Sequence, residues 1–143
     1  MKKKLEQIPV VLVGPNDART GMVPALLREL DEALQALVAK GTAHMVDLAT
    51  LPLSSADRSM LDEALGEGEI RMDLETLGRS RIRETSFPGI WWVRHEDPDG
   101  KVLADRIEVA HVPEIVPAHP SDVASGQARL THTIQQISRG SER

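Results

Sequence analysis

Three groups of side chains in this sequence have types and spacings that bear on chemistry. Glu67, Glu69 and Glu84 supply carboxylates of the kind that general acid–base catalysis pairs. Acidic residues next to glycines and along a strand are also the ordinary salt partners of arginines, here Arg71, Arg81 and Arg83. His44, His95, His111, His119 and His132 are scattered, with no pair at metal-ligand spacing. His95 with Asp97 and Asp99 offers a hard cation too few donors close in sequence to specify a site. Neither a GxSxG nor an SxxK pattern supports a serine nucleophile. Gly66-Glu67-Gly68 lacks the third glycine and the Gly-Lys-Ser/Thr ending of a phosphate loop, and its glutamate would repel a phosphate.

Binding readings have more behind them. Arg79, Arg81 and Arg83 alternate, so a strand places them on one face, with Arg94 and Arg106 open to joining them from neighbouring strands. Such a stripe reads first as a solvated or salt-bridged sheet face. Glu63, Glu67, Glu69, Asp73 and Glu75 form an acidic segment able to meet a basic partner. The sharpest feature is aromatic. Phe87, Trp91 and Trp92 are the only aromatic residues in the chain, and they lie within six positions of one another. Adjacent strand residues point to opposite faces, so one tryptophan is free to enter the core while the other meets a partner. Tryptophan suits that role because it combines a large area with a polar N–H.

The elements that must position these groups are legible from periodicity. Residues 8–13 (IPVVLV) read as a short strand, closed by a loop at Gly14-Pro15-Asn16-Asp17. A helix over 21–40 carries Val23, Leu26, Leu27, Leu30, Leu34, Leu37 and Val38 at helical spacing, with Thr20 as its cap and Gly41 as its stop. His44–Leu48 reads as a strand. Ser54 then opens a second helix, with Asp57 three residues on completing a capping box. Four strands follow, Glu69–Leu74, Arg79–Ser86, Ile90–Glu96 and Val102–Val109, the last two joined by a turn at Asp97-Pro98-Asp99-Gly100. Phe87-Pro88-Gly89-Ile90 suggests a type II turn or a kink. A final helix, about 120–138, is expected to turn Val123, Ala124, Leu130, Ile134 and Ile137 inward, and residues 1–7 and 139–143 to be flexible. The order predicts a single α+β domain over 1–143, a mixed or mainly antiparallel sheet covered by about three helices. Sheet edges leave peptide binding or a homodimer open.

Composition narrows the class. A net charge of −5 argues against a nucleic-acid partner. The absence of cysteine removes disulfides, thiolate metal sites and thiol nucleophiles. The apolar run after Met1-Lys2-Lys3-Lys4 is shorter than a signal-peptide core, and nothing approaches a membrane span, so a cytoplasmic protein without membrane insertion is expected.

Four collinear blocks carry a family resemblance. Leu51-Pro-Leu-Ser-Ser-Ala-Asp-Arg58 followed by Leu65-Gly-Glu-Gly-Glu-Ile70 is similar to an LPL(S/T)xADR…LGxGEV block, and Arg83-Glu-Thr-Ser-Phe-Pro-Gly-Ile-Trp-Trp-Val-Arg94 to an (R/W)ETxxxGVWxVR signature. Ile107-Glu-Val, Val112-Pro-Glu-Ile-Val and His119-Pro-Ser-Asp-Val resemble an IEV…VPEIL…HPxDI ending. Together these resemble the C-terminal region of the HupH/HyaF/HoxQ hydrogenase expression/formation family, over about residues 20–135. The resemblance implies a non-enzymatic accessory or chaperone for maturation of a bacterial uptake [NiFe] hydrogenase. It implies binding to the immature iron–sulfur small subunit before twin-arginine export, with other maturation factors as further partners and no cofactor. Some members run considerably longer, so functions tied to an N-terminal extension are not expected of this region. No catalytic or metal-binding residue is carried over. The partner-binding surface expected from the residues comprises Glu67, Glu69, Glu84, Phe87, Trp91, Trp92 and Arg94, the glutamates meeting basic groups on the client. A metal or cofactor carrier in the same pathway and a carboxylate-based enzyme are the alternatives.

Overall fold

The structure is a computed structural model and describes residues 18–143. The strand expected at 8–13 and the flexible segment expected at 1–7 lie outside the described residues. The chain divides into two compact units, with the boundary between His111 and Val112.

In the first unit, helix α1 (Met22–Lys40) exists because its leucines recur every three to four residues. Val23, Leu26, Leu30, Ala33 and Leu37 are buried, while Val38 falls off that stripe and stays exposed. The N-cap position is Gly21, and the hydroxyl of Thr20 just before it accepts from the Met22 N–H at the start of the helix while donating to Asp57. Gly41 stops the helix at φ 68°, its N–H donating to the Leu37 carbonyl. Strand β1 (His44–Asp47) leads through a 3-10 turn (Leu48–Thr50) to helix α2 (Ser55–Leu65). Ser54 and Asp57 form the expected capping box.

Strands β2 (Arg71–Glu75), β3 (Arg79–Glu84), β4 (Ile90–Glu96) and β5 (Val102–Val109) complete an antiparallel sheet in the order β1-β5-β4-β3-β2. Glu69 and Ile70 precede β2 rather than belonging to it, and β3 ends two residues short of Ser86. Both anticipated turns form. The Gly100 N–H donates to the Asp97 carbonyl, and the Ile90 N–H to the Phe87 carbonyl with Gly89 at φ 93°. A bulge interrupts β4–β5 pairing at His95/Glu96.

Register decides what the sheet presents. One row crosses all five strands as Val46, Ile107, Trp92, Arg83 and Arg71, and the next runs Asp105, Arg94, Arg81 and Asp73. The apolar end of this face, with Ile90 and Val109, packs against Leu26, Leu30 and Leu37 of α1 and Leu61 and Leu65 of α2 to make the core. The β3–β2 end of the same face is cationic. On the opposite face Ile82, Trp91 and Val93 are buried, alongside a buried Glu108 that ion-pairs with Arg106.

The second unit contains helix α3 (Pro120–Ser141), capped by His119, whose Nδ1 accepts from the Ser121 N–H. The helix continues through Gly140, beyond the expected end at about 138. None of its residues is buried, and Val123, Leu130, Ile134 and Ile137 are more than half exposed. The inward packing expected for them is therefore corrected. Helical period shows which side chains share a face, not whether anything covers it.

Candidate partner-binding surface

Where the second row leaves the core, the sheet face opens into a groove of about 650 Å³ between α2 and strands β2–β4. Its floor is Trp92. This indole is only 7% exposed, and its Nε1–H donates to Asp105 Oδ1 at 2.7 Å. The Arg83 guanidinium lies over the ring, 4.9 Å from the centroid, a cation–π contact. Arg83 also donates to the Gly66 carbonyl and to the Asp62 carboxylate.

Asp105 is the keystone. It is 3% exposed, and besides the indole it accepts from Arg58 Nη1 at 2.5 Å and Arg94 Nη2 at 3.3 Å. Burial alone would raise its pKa. The Trp92 and Arg58 hydrogen bonds and the charges of Arg94 and Arg58 outweigh burial and hold it below the ordinary carboxylate range. Asp57, at the start of α2, is held more firmly. The Thr20 hydroxyl and N–H both donate to it, the Ser54 N–H adds another bond, and its pKa falls to about 2 against the opposing effect of burial. Through Asp57 the chain entering α1 is tied to the helix that forms the groove wall.

Six arginines line the groove, Arg58, Arg71, Arg79, Arg81, Arg83 and Arg94, against three carboxylates, Asp62, Glu67 and Asp73. With Asp105, which pairs with Arg58 and Arg94 from beneath, the local balance is +2 on a chain whose net charge is −5. Arg81 stands directly opposite Arg94 in the register, and Arg71 opposite Arg83. Like charges in directly paired positions destabilise a sheet. Glu67 offsets this at Arg71, Asp62 at Arg83 and Asp105 at Arg94. The Arg81 guanidinium makes no ion pair or side-chain hydrogen bond with any described residue.

The anticipated surface residues are thereby sorted. Glu67, Trp92 and Arg94 come together in the groove. Glu84 and Trp91 belong to the opposite face, where Trp91 is 3% exposed and donates its Nε1–H to the Ala110 carbonyl. Phe87 is half exposed at the β3–β4 turn, and Glu69 is exposed before β2. The seven do not form one surface, and neither tryptophan is the exposed one. Arg106 likewise points away from the arginine stripe it was open to joining. Arg58, Arg81 and Asp105 were not singled out for a partner surface. The Arg79/Arg81/Arg83 alternation was the available signal, with Arg94 open to joining it; the strand register shows that Arg94 does and that Arg71 extends it further.

Glu67 and Glu84 are on different faces. His95 Nδ1 pairs with the Ser80 hydroxyl, and Asp97 Oδ1 accepts the Asp99 and Lys101 N–H groups of its own turn. No group of three or more His, Asp or Glu side chains converges as metal ligands among the described residues.

Fold and site together define a small antiparallel α+β unit whose distinctive surface is an open, arginine-lined groove suited to binding. The model of the HupH hydrogenase expression protein, C-terminal conserved region, matches residues 22–137, and the chain belongs to that family. It is 36% identical over 127 residues to the hydrogenase expression/formation protein HoxQ of Azotobacter vinelandii, covering 89% of this chain and 43% of that protein. It is 32% identical over 114 residues to HupH of Rhodobacter capsulatus, covering 80% of this chain and 41% of that one. The chain therefore spans less than half the length of these curated relatives. Among solved structures, the hydrogenase expression protein HupH from Thiobacillus denitrificans is 41% identical with a TM-score of 0.80, over 83% of this chain and 99% of that one.

Proposed function

We propose that this chain is a non-enzymatic accessory protein for maturation of an uptake [NiFe] hydrogenase. It acts in the cytoplasm by holding the immature iron–sulfur small subunit before twin-arginine export. The observation that carries this reading is family membership across residues 22–137, joined to an open, arginine-lined groove. Without cysteine the chain has no thiolates to hold a cluster itself, which fits a protein that binds a client rather than a cofactor. No helix among the described residues is long and apolar enough to cross a membrane.

The test is co-purification from cells making an uptake hydrogenase, with the small subunit expressed with and without its signal peptide. Recovery of the precursor with this chain supports the reading. Failure to recover any hydrogenase subunit or maturation factor, with the protein folded and expressed, overturns it.

A further inference from the structure

We infer that the groove between α2 and strands β2–β4 takes an acidic, extended peptide segment of a protein partner, with Arg81 as its central anchor. This reverses the polarity expected from the sequence, in which the chain's own glutamates met a basic client. It rests on the proposed function only in taking the partner to be a protein.

The first argument is charge. Six arginines converge on one wall and floor, while the chain as a whole is acidic. The field is local, so it selects a ligand that enters the groove rather than a polyanion that wraps the surface.

The second argument is the internal carboxylates, which fall into two kinds. Asp105 is buried and holds Arg58 and Arg94 in place from beneath. Asp62 and Glu67 have side chains about 60% exposed, and they sit on Arg83 and Arg71 from the solvent side. The Glu67–Arg71 pair is exposed at both ends and the Asp62–Arg83 pair at its carboxylate, and solvent-exposed carboxylates of this sort contribute little and exchange readily. Asp62 and Glu67 thus show the geometry in which these guanidinium groups accept carboxylates, and an incoming acidic side chain replaces them. Arg81 needs no replacement, because it has no partner among the described residues.

The third argument is extent. Arg71, Arg83 and Arg94 span two strand spacings, about 10 Å, and Arg79 to Arg83 spans about 13 Å along β3. That area accommodates roughly four residues of extended peptide with acidic side chains at intervals. A lone phosphate engages only a small part of it. Nucleic acid fits less well, since the one aromatic ring in the groove is buried and already covered by Arg83, leaving no stacking platform. Asp62, Glu67 and Asp73 would also repel an unbroken phosphodiester chain.

The experiment uses the full chain and fluorescence anisotropy of a labelled Glu-Ser repeat peptide of roughly ten residues, at low salt. A Lys-Ser repeat is the opposite-charge probe, with inorganic phosphate and oligothymidylate as competitors. The Glu-Ser peptide is expected to bind and the Lys-Ser peptide not to. Arg81→Glu weakens binding about tenfold or more, and Arg81→Gln by a smaller factor. Arg28→Glu, the same charge change on the exposed surface of α1, leaves affinity within about twofold. Asp62→Asn with Glu67→Gln tightens binding by about threefold, by removing the internal competitors. Arg81 is exposed and has no ion pair or side-chain hydrogen bond to lose, so its variants are expected to fold. Absence of Glu-Ser binding overturns the inference, as does equal loss in Arg81→Glu and Arg28→Glu. Displacement by oligothymidylate or phosphate at lower concentration than unlabelled peptide assigns the groove to those ligands instead. The two proposals fail separately. Precursor captured equally by wild type and Arg81→Glu sinks the groove and leaves the maturation role. A groove that binds the peptide in a protein capturing no hydrogenase component does the reverse.

Discussion

Replacing Asp105 with alanine removes the one group that Trp92, Arg58 and Arg94 all share. The indole N–H is then buried without an acceptor, which costs about 1–3 kcal/mol. The charge-assisted bonds to two guanidinium groups disappear as well. Because the Arg58 and Arg94 side chains are 36% and 40% exposed, they recover hydration, so their loss adds about 1.5–3 kcal/mol rather than the cost of stranded buried charges. Asp105→Ala should therefore destabilise the protein by about 2.5–6 kcal/mol. Asp105→Asn retains an acceptor for the indole and should cost about 1.5–3 kcal/mol. Urea unfolding followed by tryptophan emission measures both, and the midpoint should fall with the slope unchanged. The pH dependence supplies an internal check. Asp105 has a folded pKa below its unfolded value, so its contribution is fully present above about pH 4 and is lost as pH falls through the folded pKa. The stability gap between wild type and Asp105→Asn should close over that acid range. A cost for Asp105→Ala under about 1 kcal/mol, or an asparagine variant as unstable as the alanine one, would refute the keystone assignment.

Three further outcomes follow from other parts of the molecule. Asp57 has a folded pKa of about 2, so wild type should lose stability as pH falls from about 4 toward 2, and Asp57→Asn should flatten that limb in acid-unfolding curves. Gly68→Ala drives a Cβ into the Thr85 carbonyl oxygen, a backbone atom that cannot swing aside, and should lower stability by about 1–3 kcal/mol in thermal or urea melts. Leu130→Glu with Ile134→Glu on α3 should change the tryptophan-detected unfolding midpoint by no more than about 0.5 kcal/mol per site, because both side chains are more than half exposed.

The elements were largely readable because each carried a local physical signal. Ser54 and Asp57 announced the start of α2, Gly41 the end of α1, and Asp97-Pro98-Asp99-Gly100 the β4–β5 turn. Alternation placed Trp91 and Trp92 on opposite faces, as the structure has them. The groove was less legible because it depends on pairing across strands. That Arg81 faces Arg94 and Arg71 faces Arg83 follows from register, which no spacing within one strand encodes. Asp105 looked like one strand residue among many, since its importance lies in Arg58, 47 positions away, and Trp92, 13 positions away. The α3 stripe misled for the complementary reason. Val123, Leu130, Ile134 and Ile137 share a face as their period requires, but a periodic apolar face marks a surface able to pack without naming anything that packs on it.

The adjacent tryptophans have an experimental consequence. With no tyrosine in the chain, Trp91 and Trp92 are its indole emitters, and both lie in the sheet, one to each side. Emission thus reports on the sheet while helix α3 contributes to far-ultraviolet circular dichroism and not to fluorescence. Comparing the two signals through one denaturation series asks whether the two units melt together, since coincident curves are the mark of a single cooperative transition. Trp91→Phe leaves an emitter seated beneath Arg83 and beside Asp105, so this chain carries its own spectroscopic probe at the floor of the groove.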